Sequence, residues 1–157
     1  MEFKFTEENL KRIEAAVSKY PFPKSAVMDC IYIGQEQNGY ITNEVMQAIA
    51  EILKIELVDV LGVVTFYTMY HTKPVGKYHV QVCTNVSCML RGGYEIMDKV
   101  VEKLGIKVNE VTADGRFSIE EVECMGSCGT APMVGVNYDY YENLTKEKVN
   151  DLLDSLK

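Results

Sequence analysis

Four of the five cysteines in this 157-residue chain stand in two short pairs, Cys83-x4-Cys88 and Cys124-x3-Cys128, with 35 residues between the pairs. The spacers hold small and polar residues, Thr84-Asn85-Val86-Ser87 in the first and Met125-Gly126-Ser127 in the second. Four thiolates converging from two such loops are what one soft metal centre needs. Structural zinc favours two-residue spacers, which let successive thiolates grip one ion within a tight turn, so spacers of four and three residues fit it poorly. A disulfide-exchanging dithiol needs Cys-x-x-Cys, and no such motif occurs. A 2Fe-2S cluster suits the spacing better, because each pair can hold one iron while the wider loops wrap the bridging sulfides. Gly126 and Gly129 would let backbone N–H groups approach the sulfurs, and Thr84, Ser87 and Ser127 would add hydroxyl donors. Arg91, with Gly92-Gly93 opening the next helix, would add positive charge.

Composition narrows the setting. With 47% hydrophobic side chains, the chain can bury roughly two thirds of its unfolded surface, as one domain or two small ones. Its 23 acidic against 16 basic residues, a net charge of −7, argue against a nucleic-acid partner and for a protein one. The start Met1-Glu2-Phe3-Lys4 offers no signal-peptide core, and no apolar run is long enough to span a bilayer, so a cytoplasmic chain without membrane insertion is expected. In that reducing compartment clustered cysteines are metal ligands or redox catalysts more often than disulfides.

The elements that must position the cysteines follow from periodicity. Thr6 caps a first helix with Leu10, Ile13 and Val17 on its apolar face, stopped by Pro21 and Pro23. A second helix over 25–37 carries Val27, Cys30, Ile31 and Gly34 inward and ends at Asn38-Gly39, so Cys30 reads as a small core hydrophobe. Thr42 caps a third helix bearing Val45, Met46, Ile49, Ala50 and Leu53, and a fourth covers 57–66. Pro74 and Gly76 then mark a linker over 71–77, with His71 solvated in it. A helical, partner-docking domain over 1–72 and a second domain over 73–157 are expected.

From Tyr78 the side chains alternate, with Tyr78, Val80 and Val82 facing one way and His79, Gln81 and Cys83 the other. Cys83 ends that strand. Beyond Cys88 a helix carries Ile96, Met97, Val100, Val101 and Leu104 to Gly105. Phe117 and Ile119 alternate again, but Val122 and Cys124 fall on the other parity, which predicts a bulge near Glu120-Glu121. A hairpin turning at Asn137 and a last helix capped by Thr145, with Leu144 and Val149 as a hydrophobic staple, complete the half. Strand-helix-strand implies two parallel strands, and the hairpin adds antiparallel ones, so the loops after Cys83 and Cys124 meet at one edge of a small mixed sheet.

The segments Gly39-Tyr40-Ile41, Val64-Thr65-Phe66-Tyr67-Thr68-Met69, Val82-Cys83-Thr84-Asn85-Val86-Ser87-Cys88 and Val122-Glu123-Cys124-Met125-Gly126-Ser127-Cys128-Gly129-Thr130-Ala131-Pro132 carry a resemblance. With the cysteine spacing, they resemble the thioredoxin-like 2Fe-2S ferredoxin component of the NADH-oxidising module of respiratory complex I, the NADH-quinone oxidoreductase, and of related diaphorase modules. The resemblance spans nearly the whole chain. It implies an α+β fold, an N-terminal helical bundle followed by a thioredoxin-like 2Fe-2S ferredoxin domain. It implies Cys83, Cys88, Cys124 and Cys128 as the cluster ligands and no catalytic residue on this chain. The implied function is single-electron exchange with the FMN of an NADH-binding flavoprotein partner, which carries FMN and NAD, beside further iron-sulfur subunits at the inner face of a membrane. Ala113 stands where members often have Pro, and Met125-Gly126-Ser127 where they often have Leu-Gly-Ala; neither departure removes a ligand. Similar chains serve NAD(P)-linked hydrogenases, formate dehydrogenases and bifurcating complexes, among which these residues do not choose. A zinc-stabilised interaction module is the reading from another class. The chain lacks a Gly-x-Gly-x-x-Gly turn, so the residues offer no dinucleotide site of their own.

Overall fold

Three threonines open helices here: Thr6, Thr42 and Thr145 each accept a hydrogen bond from the backbone N–H three residues on, those of Asn9, Val45 and Lys148. Each satisfies an N–H that has no partner inside its helix. The computed structural model describes residues 3–156 and divides into two units, one ending at Pro74 and the other beginning at Val75.

Among the described residues the first unit is helical: α1 (Glu7–Val17), α2 (Val27–Asn38), α3 (Asn43–Leu53) and α4 (Leu57–Phe66), with a 3-10 turn (Pro23–Ala26) before α2. Ile13, Ile31, Ile41, Val45, Ile49 and Val60 form the centre of its core. Two expectations are corrected. Leu10 is exposed, because α1 turns Ile13 and Ala16 inward and leaves Leu10 on its flank. His71 is not simply solvated: its N–H donates to Gln35 Oε1 at 2.7 Å and its carbonyl accepts from the Ile41 N–H at 2.7 Å, which ties its backbone to the helical unit.

The second unit runs β1 (Tyr78–Cys83), α5 (Val86–Leu90), α6 (Gly93–Leu104), β2 (Phe117–Val122), β3 (Val134–Val136), β4 (Asp139–Tyr141) and α7 (Lys146–Ser155). The sheet order is β2-β1-β3-β4, parallel between β1 and β2 and antiparallel elsewhere. Asn137 takes φ 55° at the hairpin turn, a conformation Asn tolerates better than most residues. Val80, Val82, Phe117, Ile119, Val134 and Val136 share one core with residues of α6 and α7, and Leu144 and Val149 join them as the staple requires. Five fully paired strand positions precede Val122, so the expected bulge is absent: the register runs unbroken from Tyr78↔Phe117 to Cys83↔Val122. The parity change has another cause. Val122 turns away from the main core to pack with the cluster of side chains around Cys83 and Cys88. No helix among the described residues is long and apolar enough to cross a membrane.

Candidate metal centre

Parallel pairing of β1 with β2 decides where the thiols lie. Both strands finish at the same end of the sheet, so the chain leaving Cys83 and the chain leaving Val122 start side by side. Cys83 is the last residue of β1 and Cys88 sits within α5, whose N-terminus is capped by Asn85 accepting from the Val86 N–H. The first spacer is thus partly a single helical turn rather than an open loop. Gly93 is needed behind it: a Cβ there would stand 2.9 Å from the Cys88 carbonyl carbon and oxygen and 3.0 Å from the Cys83 carbonyl oxygen. Backbone atoms cannot yield as a side-chain tip can, so α6 can start this close only on a residue without a side chain.

Cys83 and Cys88 are buried with Ala131 and Met133, and Val122 and Met125 pack beside them. The Cys83 thiol lies 3.9 Å from the Glu123 carbonyl oxygen, which brings the end of β1 to the doorstep of Cys124. Burial first, then the neighbouring Cys83 thiol, push the Cys88 thiol up to about 11, against a backbone hydrogen bond from Met133; the Cys128 thiol also lies near enough to act on it. A buried thiolate is stable in such surroundings once a cation is bound to it. Cys124 and Cys128 are exposed. The Gly126 N–H donates to Cys124 Sγ at 3.4 Å, and Cys128 opens a short 3-10 turn (Cys128–Thr130).

The hydroxyls behave differently from expectation. Thr84 Oγ1 donates to Glu121 Oε1 at 2.7 Å, and Ser127 Oγ donates to Glu142 Oε1, which also accepts from Thr130 Oγ1 at 2.6 Å. Carboxylates outcompete a thiol as acceptors, and nothing in the spacing of the cysteines announces that Glu121 and Glu142 fold back here. His79 is buried on the sheet, with Nδ1 2.8 Å from Ser118 Oγ and Nε2 2.9 Å from Glu120 Oε2. Among the described residues no three His, Cys, Asp or Glu side chains are gathered as a single-ion site.

These residues fit a 2Fe-2S cluster by their chemistry. Four soft donors arise from two loops at one end of the sheet, an amide N–H already reaches a sulfur, and one thiol pair is buried in apolar side chains while the other meets solvent.

The thioredoxin-like [2Fe-2S] ferredoxin family model matches residues 13–157, and the chain belongs to that family. A 2Fe-2S cluster is the cofactor that defines it. A component of the NADH-quinone oxidoreductase of Rickettsia bellii is 44% identical over 158 residues, covering 99% of this chain and 95% of the relative. A mitochondrial NADH dehydrogenase [ubiquinone] flavoprotein 2 of Dictyostelium discoideum is 42% identical over 158 residues, covering 99% of this chain and 64% of the relative. Both relatives are subunits of oxidoreductase complexes. In fold, the chain superposes on a solved NAD+-reducing [NiFe]-hydrogenase with a TM-score of 0.69 at 14% identity, covering 81% of this chain and 22% of the other.

Proposed function

We propose that this chain is an electron-transfer subunit of an NADH-quinone oxidoreductase, with Cys83, Cys88, Cys124 and Cys128 holding its 2Fe-2S cluster and a flavoprotein partner binding FMN and NADH. The meeting of both cysteine loops at one end of the parallel β1-β2 pair carries the reading. When bound, such a cluster accepts and donates one electron at a time. The protein's part is to bury Cys83 and Cys88 beneath Ala131 and Met133, to leave Cys124 and Cys128 at the surface where an electron partner can approach, and to aim the Gly126 N–H at sulfur. The 44% identity to the Rickettsia relative, in an alignment covering 99% of this chain, favours this host over a hydrogenase, to which the likeness is one of fold. The helical unit is the docking element: α4 exposes Leu57, Val58, Leu61 and Phe66, apolar side chains that a protein partner would cover. Further iron-sulfur subunits would receive the electron, and the complex would hold the chain at the inner face of the membrane from the cytoplasmic side.

Hydride transfer delivers two electrons together, so a one-electron carrier needs a flavin between itself and NADH. Purified chain carrying its cluster is therefore expected to keep its visible spectrum on adding NADH and to be bleached by dithionite. Adding the FMN-bearing partner is expected to make NADH effective. Bleaching by NADH alone, in a preparation free of flavin, would overturn the division of roles. A colourless, iron-free anaerobic preparation binding stoichiometric zinc would instead support the zinc-module reading.

A further inference from the structure

Each cysteine loop is tied by a hydroxyl-to-carboxylate contact next to one of its cysteines. Beside Cys83, the Thr84 hydroxyl donates to Glu121 on β2, and the Thr84 N–H donates to the Val122 carbonyl at 3.2 Å. Around Cys128, the Ser127 and Thr130 hydroxyls both donate to one oxygen of Glu142, which follows β4, while the Thr130 N–H and the Asn143 N–H close the turn onto the Ser127 and Thr130 carbonyls. Glu142 is 15 residues from Ser127 and 12 from Thr130, so neither contact is a by-product of local turn geometry.

Resting on the functional reading above, we propose that Glu121 and Glu142 are positioning residues for the cluster, each holding one cysteine loop through its hydroxyls and each laying a negative charge beside it. Two consequences follow from one arrangement. The hydroxyls beside Cys83 and Cys128 are held by carboxylates and so are not donated to sulfur, and the carboxylates themselves oppose an electron arriving on an already anionic centre. Both act in the same direction, toward a low reduction potential, while the loops gain order. Charge and clamp are separable, because glutamine keeps a carbonyl acceptor for the hydroxyls and removes the charge.

The test is a redox titration of full-length chain carrying its cluster, followed by visible absorbance and by the spin signal of the reduced state. Glu121→Gln and Glu142→Gln are each expected to retain the cluster and raise the midpoint, and the double variant to favour reduction about tenfold, which is about 59 mV for one electron. Glu102→Gln, a carboxylate at the far end of α6, serves as the control for general surface charge and should leave the midpoint in place. Ser127→Ala keeps both charges and loosens the clamp, so it should shorten the lifetime of the cluster in air and leave the midpoint short of the Glu142→Gln value. Glutamine variants whose midpoints match the wild type, or shift no more than the Glu102→Gln control, overturn the proposal. Should Glu142→Gln fail to fold, Glu121→Gln is judged by the same rule. A wild-type chain that shows no iron-sulfur absorption overturns the functional reading instead, so the two failures are distinct.

Discussion

Cys30 and Cys88 are both buried thiols, and their surroundings lead to opposite expectations. Cys30 lies wholly inside the helical core, where burial first and the Asp29 carboxylate next push it from 9.0 to about 12. No other cysteine belongs to that core, so it packs as a hydrophobe. Cys30→Ser is expected to keep full visible absorption and iron content, with a stability loss of about 1–3 kcal/mol where the hydroxyl stays unpaired. Serine at Cys83, Cys88, Cys124 or Cys128 should abolish or distort that absorption, since a hydroxyl is a harder and less acidic ligand. Loss of absorption in Cys30→Ser to the level of the loop variants would refute this division. The raised value also carries a sign. A thiol whose folded value lies above its unfolded one contributes stability in full below pH 9.0, and loses it as pH rises toward about 12. The urea midpoint of wild type should therefore fall across that window more steeply than that of Cys30→Ala. At this scale the sequence was informative about which cysteines belong together, because spacing encodes reach. It was silent on Glu121 and Glu142, whose proximity depends on strand register and on where a hairpin ends.

Helix ends were the most legible elements, because a threonine before an apolar period names both the cap and the start of the turn: Thr6, Thr42 and Thr145 all cap as read. Two elements were misread for physical reasons. The five residues of α5 are too few to show a helical period, so Val86 and Ser87 looked like loop. In β2 the alternation changes because the strand passes from the main core to the apolar nest around Cys83, and a change of burial partner mimics a bulge. The glycines allow an element-level prediction by contrast. Gly93→Ala would thrust a methyl group to 2.9 Å from the Cys88 carbonyl, at the junction of α5 and α6, so about 1–3 kcal/mol of stability and part of the cluster occupancy should be lost. Gly62→Ala, in the interior of α4 with nothing within 4 Å of the new atom, should stabilise by about 0.5–1 kcal/mol. Urea unfolding of both variants measures the pair, and a destabilising Gly62→Ala or a neutral Gly93→Ala would contradict the account.

On the scale of the whole molecule, the change from helical to alternating periodicity near Pro74 and Gly76 was legible because two incompatible repeats cannot share one element. What the chain beyond it contains is a full set of parts: a four-stranded sheet, α6 and α7 packed against it, a core from Val80 to Leu153, and both cysteine loops. A fragment beginning at Lys73 is accordingly expected to fold and to accept a cluster with the visible spectrum of the full chain. Its margin will be small. Roughly 85 residues bury a modest fraction of their surface, so the bare fragment should unfold tens of degrees below the loaded one, and the ligand bonds should contribute much of its folding free energy. The same dependence should make the fragment more sensitive than the full chain to an iron chelator, read as loss of far-ultraviolet ellipticity in step with loss of colour. Reconstitution in the full chain and repeated failure in the fragment would show instead that residues before Lys73 are integral to the cluster-bearing fold.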